Sequence, residues 1–103
     1  MAKFVYKMQN ILDIKYQMED QAKITYSLAR KKLDDEEDKL RTLINKKNEY
    51  EDNYRELASS VLDVLSIVNC KKAIDVTKEK IKRQYVEVRV AEKNLEAARI
   101  KLN

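Results

Sequence analysis

The chain contains no glycine and no proline in 103 residues, whereas an average protein carries roughly 12% of the two together. Those residues supply the backbone angles of tight turns, bulges and phosphate-gripping loops. Without them few compact multi-loop folds remain open, and long helices become the economical solution. The rest of the composition agrees: Lys, Glu, Ala, Leu, Arg and Gln, the good helix formers, are abundant. With 39% charged residues and 7% aromatic, there is little material for a globular interior. Disorder competes in so charged a chain, but 44% of the residues are hydrophobic and they are regularly spaced. A single domain of long helices is expected.

Several classes of function fall away early. No run of about 18 apolar residues exists, so no direct insertion in a membrane is expected. The opening "MAKFVYKMQN" has Lys3 and Lys7 but no apolar run behind them, unlike a secretory signal. A single cysteine, Cys70, has no internal partner, which suits a reducing compartment. Net charge is +4, from 22 basic and 18 acidic residues, a mild excess rather than the footprint of a dedicated nucleic-acid binder.

Apolar residues recur at alternating steps of three and four, the spacing of a coiled-coil seam. Phe4, Met8, Ile11, Met18 and Ala22 make a first run. After a phase shift near residues 18–26 that resembles a stutter, two sevenfold columns follow. Tyr26, Leu33, Leu40, Lys47, Tyr54 and Val61 form one, and Ala29, Glu36, Leu43, Tyr50 and Leu57 the other. In the second half Ile67, Ile74, Ile81, Val88, Leu95 and Leu102 are seven apart without interruption. Beside them runs a column of mostly small residues, Cys70, Thr77, Gln84, Ala91 and Ala98. A branched column next to a small one makes a narrow stripe, fit for close approach of a single partner helix.

The stretch "NEYEDNYRELASSVLDVLSIVN" holds the one place where the chain looks able to turn back. Ser59 and Ser60 are good N-caps, and Ser60 followed by Asp63 is a weak capping box. The expected architecture is therefore all-α: a long antiparallel two-helix coiled-coil hairpin. Helix 1 covers about residues 3–57, the reversal 58–61 and helix 2 62–103, with Val61, Leu62, Val64 and Leu65 closing the tip as an apolar plug. One uninterrupted helix through residues 58–66 is the alternative. In a hairpin centred near residue 59 or 60, residue i lies roughly opposite residue 119 − i, which sets Ile74 near Leu43 and Ile44, Ile81 near Leu40, Val88 near Leu33, Leu95 near Ile24 and Tyr26, and Glu36 near Arg83. Helix 1 would be roughly 80 Å long at 1.5 Å per residue. Asn103 reaches back only to about Lys15, leaving Phe4, Tyr6, Met8 and Ile11 without a partner. Since "ARIKLN" carries no C-cap signal, the natural chain is expected to continue past residue 103.

Chemistry is hard to find. Histidine is absent, so imidazole catalysis and His-ligated metals are excluded, and without glycine there is no usual phosphate loop. Cys70 reads as a small seam residue. The five acids Asp34, Asp35, Glu36, Glu37 and Asp38 point in every direction on a helix, whereas a calcium loop needs a sharp turn. They read as a solvated face with Asp35–Lys39 and Glu37–Arg41 pairs. No enzyme, cofactor or metal site is expected. Charge differs between the arms: residues 1–57 carry 12 basic and 12 acidic residues, and residues 61–103 carry 10 and 6. The basic stretch "KEKIKRQYVEVR" leaves an RNA-binding helical hairpin as one reading and a mixed solvated surface as the other. Tyr50 and Tyr54, spaced i, i+4 near the tip, suit either partner contact or widening of the hairpin.

Two stretches carry a resemblance. "MAKFVYKMQNILDIKYQMEDQAK", with its F-x-Y-x-x-Q-x-x-L pattern (Phe4, Tyr6, Gln9, Leu12), and "LINKKNEYEDNYRELASSVLDVL", with Asn48, Glu49 and Tyr50, resemble the FliJ family over the whole chain. The resemblance implies a non-enzymatic coiled-coil stalk of the flagellar type III export ATPase, in the setting of flagellum biogenesis, motility and chemotaxis. Implied partners are the ATPase hexamer, the cytoplasmic domain of the export gate and export substrate chaperones, with no nucleic acid, and self-association through coiled-coil faces is open. The implied location is cytoplasmic, peripheral to the inner face of the membrane at the flagellar base. By position, Leu43 and Tyr50 match gate- or chaperone-facing residues. Lys46 and Ala73 stand where the family often shows aromatics, and Thr77 where it often shows leucine. Phe4, Tyr6 and Leu12 are the candidates for the ATPase ring. The alternatives are the stalk of a related injectisome or of another assembly, and the RNA-binding hairpin.

Overall fold

The computed structural model describes residues 2–59 and 63–103, with side chains from residue 5 onward. Two helices account for nearly all of it: α1, Ala2–Ser59, and α2, Val64–Leu102. They form an antiparallel hairpin 92 × 17 × 14 Å in extent. Nothing in α1 interrupts the hydrogen-bond ladder, and its 58 residues run unbroken through the expected phase shift at 18–26. At 1.5 Å per residue the helix is about 87 Å long.

The seam follows the sevenfold columns residue by residue. On α1, Tyr26, Ala29, Leu33, Leu40, Leu43, Lys47, Tyr50, Tyr54 and Leu57 are all half-buried, and Glu36 is buried. On α2, Ile74, Thr77, Val88, Ala91 and Ala98 are buried, and Ile67, Cys70, Ile81, Gln84 and Leu95 half-buried. The most covered apolar residues are Ala91 at 2% and Ala98 at 4% exposure, because small side chains let the two backbones approach. No large side chain is completely covered among the described residues. That is what two helices can achieve, since each presents one stripe and leaves the remainder of its circumference to water.

Two cross-helix contacts fix the register. The Cys70 thiol donates to the Tyr50 carbonyl at 3.2 Å, and the Gln84 side-chain amide donates to the Glu36 carbonyl at 2.9 Å. Both place residue i opposite 120 − i, one residue from the expected 119 − i. The slip changes specific partners. Glu36 meets Gln84 rather than Arg83, and Arg83 makes no ion pair among the described residues. Ile24, expected beside Leu95, is 52% exposed, and the covered residues at that level are Ala22, Tyr26 and Ala29. In this register Asn103 lies opposite residue 17. About 15 residues of α1 therefore project as a single helix beyond the end of α2, about 23 Å.

The start of α2 differs from the expected cap. Its N-cap is Asp63, with extended φ −111° and ψ 92°. One carboxylate oxygen accepts from the Ser66 backbone N–H at 3.4 Å and the other from the Ser66 hydroxyl at 2.7 Å. Aspartate matches serine as a cap and adds a negative charge at the positive end of the helix dipole. Ser59 is not an N-cap: it ends α1, its hydroxyl donating to the Glu56 carbonyl at 2.8 Å. The Ser60 cap and the plug residues Val61 and Leu62 lie outside the described residues, as does part of the expected 58–61 reversal. The other plug residues, Val64 and Leu65, are exposed rather than packed at the tip. One uninterrupted helix is excluded by the non-helical Asp63 and the cross-helix bonds.

Candidate partner-binding surfaces

Three places along the rod combine side chains that could recognise something: its middle, its tip half and its single-helix end. In the middle, Glu36 occupies a seam position and is only 3% exposed. A buried carboxylate needs partners for both oxygens, and Glu36 has them. Lys32 at 2.9 Å and Lys39 at 3.3 Å hold one oxygen, and the Gln84 amide holds the other at 2.5 Å. These bonds, Lys32 first, then Gln84 and Lys39, pull the Glu36 carboxyl down to about 2. Glu36 in turn raises the pKa of Lys32. The network accounts for a further departure from expectation, since Lys39 bonds Glu36 rather than Asp35; separately, Arg41 bonds Asp38 at 3.0 Å rather than Glu37. No buried side-chain polar atom lacks a partner among the described residues. The Glu36 carboxylate is thus satisfied from within, and no buried side-chain polar atom of the described residues is left for a ligand.

The tip half carries Leu43 and Tyr50. Both sit in one sevenfold column of α1, half-buried, about 10 Å apart along the axis. Their inner sides belong to the seam and their outer edges meet solvent. An open cleft beside Tyr50 is lined by Asn53, Leu57, Asn69, Cys70 and Ala73. Cys70, half-buried and bonded to the Tyr50 carbonyl, helps hold this cleft together. Thr77 is covered, its hydroxyl donating to the Ala73 carbonyl at 2.7 Å. Lys46 is exposed and Ala73 half-buried.

At the opposite end α1 stands alone. Tyr6 is 72% exposed and Leu12 40%, whereas the Phe4 side chain lies outside the described residues. Their neighbours Val5, Met8, Ile11, Ile14 and Tyr16 are exposed as well. Of these, Val5, Ile14 and Tyr16 were not singled out from the sequence, because they fall off the run through Phe4, Met8 and Ile11. The described helices include none long and apolar enough to cross a membrane, and the described residues include no group of three or more acidic or cysteine side chains able to hold a metal.

A family model described as "Flagellar FliJ protein" matches residues 4–103, essentially the whole chain. No curated protein and no solved structure matches. The match covers both helices, the seam between them and the projecting end, as the resemblance in "MAKFVYKMQN" and "NEY" implied. The chain belongs to the FliJ family of flagellar export components.

Proposed function

We propose that this protein is the stalk of the flagellar type III export ATPase, linking the ATPase ring to the export gate and to recycled substrate chaperones. The reading is mechanical. A shaft must transmit position over its length, and the helices here contain no glycine or proline, each of which costs a helix interior roughly 1 and 3 kcal/mol. A 92 Å rod, seamed along the whole length of α2, suits that task.

The observation that carries the proposal is a FliJ family match over residues 4–103 on a two-helix rod with a tip and an open end. Tyr6 and Leu12 lie on α1 at the open end, away from the tip. This is the end assigned to the pore of the ATPase ring, with Phe4 as its third contact. Toward the other end, Leu43 and Tyr50 share one side of α1 and are assigned to the gate and chaperones. The protein would then work in the cytoplasm, peripheral to the inner face of the membrane at the flagellar base, in service of motility.

The test is ATP hydrolysis and ring assembly by the purified cognate export ATPase, with and without this protein. Stimulation is expected, with loss in Tyr6→Ala/Leu12→Ala and retention in Leu43→Ala/Tyr50→Ala. The second pair should instead lose binding to the cytoplasmic domain of the gate. Absence of stimulation by the unaltered protein would sink the stalk assignment, and equal effects of the two pairs would sink the division between the ends.

A further inference from the structure

The outer face of α2 carries a second apolar stripe that the hairpin does not use. Val76, Arg83, Val90 and Ala97 are seven residues apart, and interleaved with them at steps of three and four are Glu79, Val86, Lys93 and Ile100. Helical residues advance by about 100° each. Val86 therefore lies about half a turn away from its seam neighbours Gln84 and Val88. Because the stripe shares the period of the seam, it stays on the outer side for the whole length of the hairpin. Val76, Val86, Val90 and Ile100 are 54%, 58%, 47% and 62% exposed.

Isolated exposed valines need no explanation, but a repeating row is different. The matching positions of α1 provide the comparison: Lys31, Asp35, Asp38, Thr42, Asn45, Glu49, Asp52 and Glu56 are polar, and the exposed Ile24 and Leu28 are the apolar residues that precede them in the same columns. The back of α1 is thus polar over its tip half, whereas apolar residues recur along the back of α2 from Val76 to Ile100. Valine is also among the weaker helix formers, so these residues stabilise neither the helix nor the seam.

Charge specifies what could cover the stripe. Arg83, Arg89 and Lys93 lie in it or at its edge and form no ion pair among the described residues. Two of the neighbouring acids are engaged: Lys82 holds Glu79 at 3.4 Å, and Arg99 holds Glu96 at 2.6 Å, while Glu92 lies round the helix toward the seam side. Glu87 adds to the effect of Glu36 in raising the pKa of Lys32 on α1. Asp75 lies beside the first valine, at the far edge of the row. A second copy of the chain fits poorly. Antiparallel pairing that sets Val86 against Val90 also sets Arg83 against Lys93, and parallel pairing sets each cation against itself. The back of α1 from a second copy would supply acidic charge from Asp35 onward but only Ile24 and Leu28 as apolar residues, confined to one end of the row.

We propose that the stripe from Val76 to Ile100, edged by Arg83, Arg89 and Lys93, is a docking face for an amphipathic helix of another protein, one whose apolar seam is bordered by Asp and Glu. Knobs at steps of three and four suit a helical partner, and 25 residues offer it about 37 Å of length. The proposal concerns a face that neither the ATPase nor the gate assignment uses, so it stands or falls separately from them.

The experiment uses two fluorescent 25-residue helical peptides. Both have Leu at the seam positions of the heptad, and the flanks are Glu in one and Lys in the other. Binding to the chain is read by anisotropy at moderate salt. The acidic peptide should bind at least tenfold tighter than the basic one. Val86→Ser/Val90→Ser should weaken it at least tenfold, and Arg83→Glu/Arg89→Glu/Lys93→Glu should reverse the preference. Circular dichroism melting should be unchanged in both variants, because these residues do not belong to the seam. Equal affinity of the peptides, or indifference to the valine changes, would overturn the proposal. So would a variant that melts early, which would make the face structural, or a valine variant that abolishes self-association of the chain. Binding of oligouridylate that falls steeply with salt and ignores the valines would reassign the face to nucleic acid.

Discussion

Replacing Gln84 with methionine tests the polar lock at the middle of the hairpin. The change keeps side-chain length and removes the donor that reaches the Glu36 carbonyl at 2.9 Å and the Glu36 carboxylate. A hydrogen bond to a charged group contributes about 1.5–3 kcal/mol, and a neutral one nearer 1. The carbonyl keeps its helical partner, so its loss adds little. Gln84 is only half-buried, which lets water replace part of the bond and favours the low end, about 1.5–2 kcal/mol. For a chain of this size that corresponds to a fall of about 10 °C in melting temperature. A second readout comes from the carboxyl itself. Glu36 titrates at about 2 with Gln84 present. It should move toward the usual 4.5 without reaching it, because Lys32 and Lys39 remain. Thermal melting at neutral pH and NMR titration of the Glu36 carboxyl measure both. Stability unchanged within about 0.5 kcal/mol, together with an unmoved Glu36, would refute the argument that this pair locks the register.

Other predictions follow from the same contacts. The pKa of Glu36 is lower in the folded state than in the unfolded chain, so its contribution is complete above the ordinary value and is lost as pH falls from about 4.5 toward 2. Asp63, lowered by the Ser66 hydroxyl and N–H, and Glu96, lowered by Arg99, act in the same direction. Melting temperature should decline across that acid window, and Glu36→Gln should flatten the decline. Ala91→Leu forces a larger side chain into the closest approach of the helices and should cost about 1–3 kcal/mol in urea unfolding, whereas Ala97→Leu on the outer face should stay within about 0.5 kcal/mol. Asp63→Ala should lower the melting temperature by a few degrees and speed hydrogen exchange at residues 64–67, while Ser59→Ala should do neither.

The seam was legible in the sequence because little else competes in this chain. Without glycine, proline or a globular interior, the sevenfold columns are the main organising signal, and they coincide with the covered residues of both helices. Each column of Ala29–Leu57 and Cys70–Ala98 contains one large polar exception, Glu36 and Gln84. In the observed register those exceptions face each other, a coincidence that could have corrected the one-residue error in pairing. The cap was harder to read, since Ser59, Ser60 and Asp63 are all competent cappers, and the choice depends on how far α1 continues. Which lysine joins which acid was also hidden, because Lys39 chooses the buried Glu36 over the exposed Asp35 only once the second helix covers the seam. Leu43 and Tyr50 could be placed on one side of α1 from spacing alone. That their inner sides are committed to the seam required the hairpin.

The most direct test of the stalk assignment is site-specific photo-crosslinking in a motile strain, with a photoactivatable phenylalanine analogue at position 12 or position 50. The account predicts adducts with the export ATPase from position 12 and with the cytoplasmic domain of the export gate from position 50. Adducts in the reverse order, or no ATPase adduct from position 12, would contradict it.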